Sequence, residues 1–177
     1  MKKVLITIIL ALVTYIIYFL QSNFFNWFTI AGIKPNLFIL LILFIGLFGG
    51  KTLGTIYGVA IGLIIDLLLR NQIGITAISL GIVGFLSGIF DKNFSKDSRI
   101  TIMIMTFAVT IISELISYLA NYFIFSINFE IMAFIKITLI ETIYNLMITI
   151  IIYPLFQKFG YNIENEFKES KILTRYF

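Results

Sequence analysis

The stretch Gly50–Asp66, GKTLGTIYGVAIGLIID, decides how this chain is read. Glycine recurs every fourth residue, at Gly50, Gly54, Gly58 and Gly62, and an acid, Asp66, closes the series. Residues four apart share one side of an α-helix, so the pattern predicts a helix with one side stripped to its backbone. Such a side lets another helix approach almost to main-chain contact, as in the small-xxx-small crossings of membrane helices. Four residues overshoot one turn by about 40°, so the stripe winds around the helix and favours a tilted crossing. An acid within an apolar span is costly and normally faces protein or water, which marks this side as turned away from lipid.

Working outward, composition places the helix in a bilayer. Of 177 residues, 60% are hydrophobic and 12% charged, and the mean hydropathy is +1.04, far from the balance of a soluble domain. At roughly 20 apolar residues per span, the expectation is an all-α integral membrane protein: one six-helix bundle with no soluble domain. The chain has no cysteine and no histidine, so disulfides, thiolate metal sites and the usual neutral-pH proton shuttle drop out. Neither GxGxxG nor a P-loop pattern is formed by the glycines, which argues against nucleotide binding. No catalytic residue, metal or cofactor is expected.

Apolar runs and polar breaks predict helices over about 4–20, 36–49, 52–69, 73–90, 100–125 and 131–154, then a polar tail over 157–177. Lys2 and Lys3 precede the first run, and no small-residue cleavage site follows it, so it reads as a first span. Residues 21–35, with Trp27 among Phe24, Phe25 and Phe28, suit the headgroup zone, and Pro35 suits the opening of the second helix. The fourth run carries small residues at Gly74, Ala77, Gly81, Gly84 and Gly88, and eight of the twelve glycines fall between positions 50 and 88, so helices three and four are expected to pack closely. The same glycines could instead dock a partner protein's helix. The 19 Phe and 9 Tyr are spread through every span and read as lipid-facing bulk and interface anchors.

Charge sets the orientation. With a cytoplasmic amino terminus, six spans put Lys2, Lys3, Lys51, Lys92, Lys96, Arg99, Lys158, Lys168, Lys171 and Arg175 inside, Lys34 and Arg70 outside, and Lys136 within a span. That asymmetry obeys the positive-inside rule and predicts both termini in the cytoplasm. It also accounts for the net charge of +4 without nucleic acid. Lys92, Lys96 and Arg99 would meet anionic headgroups or a cytoplasmic protein.

Four ionisable residues fall within the spans: Asp66, Glu114, Lys136 and Glu141. Asp66 and Lys136 lie within roughly two helical turns of the outer helix ends, with Glu114 and Glu141 deeper. One reading is an intramembrane polar network, Lys136 with Asp66 or Glu114, opening to the outside. The other has Lys136 and Asp66 reaching the interface separately, with Glu114 and Glu141 protonated and bonded to neighbours such as Ser113 or Asn145.

From Lys34 to Phe90 the chain reads KPNLFILLILFIGLFGGKTLG, then GVAIGLIIDLL, then IGITAISLGIVGFLSGIF. The order of Pro35-Asn36, the turn from Gly46 to Gly54, Gly58, Gly62, Asp66 and Gly74 resembles the bacterial rod shape-determining MreD family. The resemblance implies a non-enzymatic scaffold of the cell-wall elongation machinery. It would bind an MreC-like bitopic protein and, through it, MreB filaments and the wall glycosyltransferase and transpeptidase pair. It also implies a fold shared with the substrate-binding subunits of energy-coupling factor transporters, and hence a rival function, small-molecule capture for transport. Those subunits dock through an Ala-xxx-Ala face on the first helix, whereas Ala11 here is followed four residues on by Tyr15. A channel or carrier would call for broken helices or inverted repeats, which the sequence does not show.

Overall fold

The computed structural model describes residues 2–69, 73–93, 98–125 and 130–168. Six helices make up the described chain: α1 (Lys2–Phe19), α2 (Leu37–Gly49), α3 (Lys51–Leu69), α4 (Ile75–Asn93), α5 (Arg99–Phe125) and α6 (Ile131–Lys168). A π-helical turn, Leu20–Phe24, and one α-turn, Phe25–Trp27, extend α1. Among the described residues, four helical stretches are long and apolar enough to cross a membrane, Val4–Trp27, Lys51–Leu68, Arg99–Ile124 and Ile131–Phe167, while Leu37–Gly49 and Ile75–Phe90 are shorter apolar helices. Arg70, Lys96, Lys171 and Arg175, counted above for orientation, lie outside the described residues.

The core is α2. Every residue from Leu37 to Phe48 is buried, because α1, α3, α4, α5 and α6 all pack around it. Thirteen residues at about 1.5 Å each make a rod of about 20 Å, short of the roughly 30 Å hydrocarbon layer. A helix walled by protein on all sides faces no lipid and escapes that length requirement, which is why so short a segment can sit at the centre. Gly50 ends it with φ +86° and donates its N–H to Gly46 O at 2.9 Å, and the chain turns directly into α3. A side chain is disfavoured in that left-handed conformation.

Two boundaries differ from those expected. Residues 21–27 continue the first helix, because Asn23 donates through Nδ2 to Phe19 O at 3.0 Å and Asn26 likewise bonds Ser22 O, both one turn back. The helical chain gives way only beyond Trp27, where Ile30 and Ile33 exchange backbone bonds around Ala31 and Gly32, both at positive φ. At the other end, α6 runs past Pro154 to Lys168. Proline removes one i→i−4 bond there, but Phe156, Gly160 and Ile163 recur on one side beyond it and pack on the core. Phe156 stacks on Phe44 with centroids 4.3 Å apart, Tyr161 meets Phe48 edge-on at 5.6 Å, and Gly160 lies flat against the Phe48 ring. Burial of this side offsets the missing bond.

Candidate functional site

The glycine stripe of α3 lies on α4, the most extensive contact between the described helices. A β-carbon at Gly54 would stand 2.6 Å from Gly84 O, and one at Gly58 would overlap the Leu80 carbonyl. At Gly62 it would overlap Ala77, at Gly84 the Gly54 carbonyl, and at Gly88 the backbone of Lys51. Each step of four forward along α3 meets a step of about four back along α4, so the two helices run antiparallel with main chains touching. Gly81 differs in kind, since a β-carbon there would meet only the Val59 side chain, at 2.7 Å. Gly50 belongs to the turn, although its carbonyl carbon lies where a Gly88 side chain would begin, at 2.6 Å.

A third helix enters this contact. A β-carbon on Gly46 of α2 would be 2.7 Å from Gly84 O and 2.6 Å from Ser87 Cβ, and one on Gly54 would be 2.7 Å from Gly46 Cα. Gly46, Gly54 and Gly84 thus form a junction where three helices meet without intervening side chains. Ala77, one of the small residues read from the sequence in α4, lies against Gly62, whereas Gly46 and Ser87 were not identified from the sequence as members of the packing surface. Ser87 was legible as a further small residue opposite the stripe, but Gly46 sits alone in a run of large apolar residues.

Asp66 closes the far end of the α3–α4 pair. It is fully buried, and its carboxylate accepts N–H bonds from Gly74 at 2.8 Å, Thr76 at 3.1 Å and Ala77 at 3.3 Å. These are orphan donors at the start of α4, and a negative group is favoured there by the helix dipole. Lys136 stands exposed on α6, so Asp66 and Lys136 serve different surroundings. Glu114 is half-buried on α5 and Glu141 is buried on α6.

A second polar surface joins α5 to α6. Thr106, Thr110 and Ser113 recur on α5, and Thr138, Thr142, Asn145 and Thr149 on α6, all buried. Thr106 Oγ1 lies 3.4 Å from Thr149 Oγ1, and Asn145 Nδ2 donates to Thr110 Oγ1 at 3.2 Å. Ser79 of α4 joins through Ser113 Oγ at 2.7 Å. Asn145 also reaches α2, accepting the Asn36 N–H at 2.9 Å, while Gln21 Oε1 accepts the Leu37 N–H at 3.0 Å. Two side chains from distant parts of the sequence therefore cap the central helix. Hydroxyl spacing on two consecutive helices was the available signal for this seam, and only Ser113 and Asn145 were picked out by sequence reasoning.

No group of three or more metal-ligating side chains occurs among the described residues. What the arrangement does is hold helices together, by bare backbone on one side of α4 and by hydroxyl and amide bonds on the other. This defines a multi-pass helical membrane protein whose buried polar groups serve largely in packing and capping. The chain belongs to the MreD family: the family description, rod shape-determining protein MreD, matches residues 1–162. The match takes in α5 and most of α6 as well as the glycine-rich front. No curated protein and no solved structure shows significant similarity. Family membership makes this a membrane protein of rod-shape determination in the wall-elongation machinery.

Proposed function

We propose that the chain is a non-enzymatic membrane scaffold, with six helices crossing the bilayer and both termini in the cytoplasm, that binds an MreC-like bitopic protein. Through that partner it would act with MreB filaments and the wall glycosyltransferase and transpeptidase pair. Family membership over residues 1–162 carries the reading. The packing supports it, since α2 is buried along its length and capped by Asn145 and Gln21, as a rigid platform requires. Because α4 covers the glycine stripe of α3, a partner's helix must meet another surface. The transporter reading gains no support from the comparisons.

The test is co-purification from native membranes in mild detergent, followed by mass spectrometry, together with depletion in the source cell. The expected outcome is recovery of an MreC-like protein and loss of uniform cell width on depletion. Recovery of an ATPase module with no change in width would overturn the proposal.

A further inference from the structure

An apolar cleft of about 190 Å³ opens between the first half of α1, the end of α2 and the last third of α6, with walls formed by side chains such as Leu10, Leu41, Phe44, Phe48 and Ile163. It lies at the basic end of the bundle. Lys2 and Lys3 begin α1, Lys158 is exposed on the wall-forming part of α6, Lys51 follows the turn after α2, and Arg99 approaches the Tyr153 ring at 6.0 Å. The exposed Asn162 adds a polar side chain to the lining.

We infer that this cleft holds a segment of one acyl chain of an anionic phospholipid, with its headgroup at the Lys158 and Asn162 end. Size and wall chemistry select the occupant. An apolar cavity of about 150 Å³ already accepts a benzene ring, whereas a transmembrane helix is about 10 Å across and 30 Å long. Close helix docking in lipid also calls for small residues on the receiving face. Here the walls are Ile, Leu, Val and Phe, and the one lining glycine, Gly160, is already filled by the Phe48 ring. The phosphate meets lysine and an amide, while the chain replaces contacts that α1, the least buried of the four long spans, does not make.

The test uses the full-length protein in mild detergent, with native mass spectrometry against phosphatidylglycerol and phosphatidylcholine. One retained phosphatidylglycerol per chain is expected, displaced by Ile9→Trp, which fills the cleft from a half-exposed position of α1. Lys158→Gln should lower preference for phosphatidylglycerol about fivefold, the worth of one lysine near an anionic surface. A photo-crosslinker at Leu10 in native membranes should label lipid. Equal retention of the two lipids, retention unchanged by Ile9→Trp, or crosslinking of Leu10 to a protein helix or a second copy would each overturn the proposal. Lipid competition on the unaltered protein decides the matter should Ile9→Trp fail to fold.

Discussion

At the scale of single residues, the glycines divide by what stands opposite them. Leu80 carbonyl carbon and oxygen occupy the place of a Gly58 side chain, whereas only a Val59 methyl occupies that of Gly81. Backbone cannot step aside as a methyl can, so Gly58→Ala should cost about 1–3 kcal/mol by overpacking and Gly81→Ala appreciably less. Gly58→Leu should abolish the folded protein. Thermal aggregation of purified variants measures the order, and equal loss at Gly58 and Gly81 would show that the helix contact is not what the glycines protect. The two intramembrane charges likewise part company. Asp66→Leu strips the start of α4 of its acceptor and should destabilise by about 0.5–2 kcal/mol, the range for lost helix caps, with Asp66→Asn milder because one oxygen survives. Lys136→Leu removes an exposed ammonium and should leave the melting temperature in place. A matching loss for Lys136→Leu would instead reveal coupling between the two residues.

At the scale of elements, the seam between α5 and α6 and the cap on α2 share one residue. Asn145 donates to Thr110 and accepts from the Asn36 N–H, so Asn145→Leu breaks a helix–helix bond and uncaps the central helix together. Each interhelical bond in a membrane protein averages about 0.6 kcal/mol and reaches about 1.7, so a double-mutant cycle with Thr110→Val should return a coupling in that range while Asn145→Leu alone costs more. A coupling near zero would place the stability of α6 wholly in its apolar contacts. These elements also show why the sequence was only partly legible. The α3–α4 pair could be read in advance because a four-residue repeat is local and periodic, and its exclusion of side chains acts on any neighbour. The cap on α2 could not be read, since Gln21 lies 16 residues before the Leu37 N–H that it accepts and Asn145 lies 109 residues after the Asn36 N–H that it accepts. The continuation of α6 past Pro154 was missed for a related reason. Proline announces a local penalty, while the compensating burial of Phe156, Gly160 and Ile163 on Phe44 and Phe48 depends on the tertiary fold.

At the scale of the whole molecule, the central question is whether six helices cross when, among the described residues, four are long enough alone. Hydrophobic matching applies to surfaces that face lipid, and α2 has none, so its length of about 20 Å does not argue against a crossing. α4 is bound along α3, whose length does suffice, and their antiparallel register would carry the chain across and back in the proposed six-span path. The described basic residues fall in agreement with this path. Lys51 lies against Gly88, Arg99 against Tyr153, and Lys158 beside the Gly160–Phe48 contact, so all three gather at one end. Lys34, bonded to Asn26 at 3.1 Å, marks the other end with the Asp66 cap. In the proposed orientation, which follows the positive-inside rule, the end with Lys51, Arg99 and Lys158 faces the cytoplasm. An alkaline phosphatase fused after Phe177, which works only outside the cytoplasm, should therefore be inactive, and a fluorescent protein that matures inside should glow at the same position. A fusion after Gly32 on truncated chains should give the opposite pair of results. An active phosphatase at Phe177 would mean that one of the two short helices re-enters from the side it left, and α2 would be the first to suspect, since no lipid contact holds it to a full crossing.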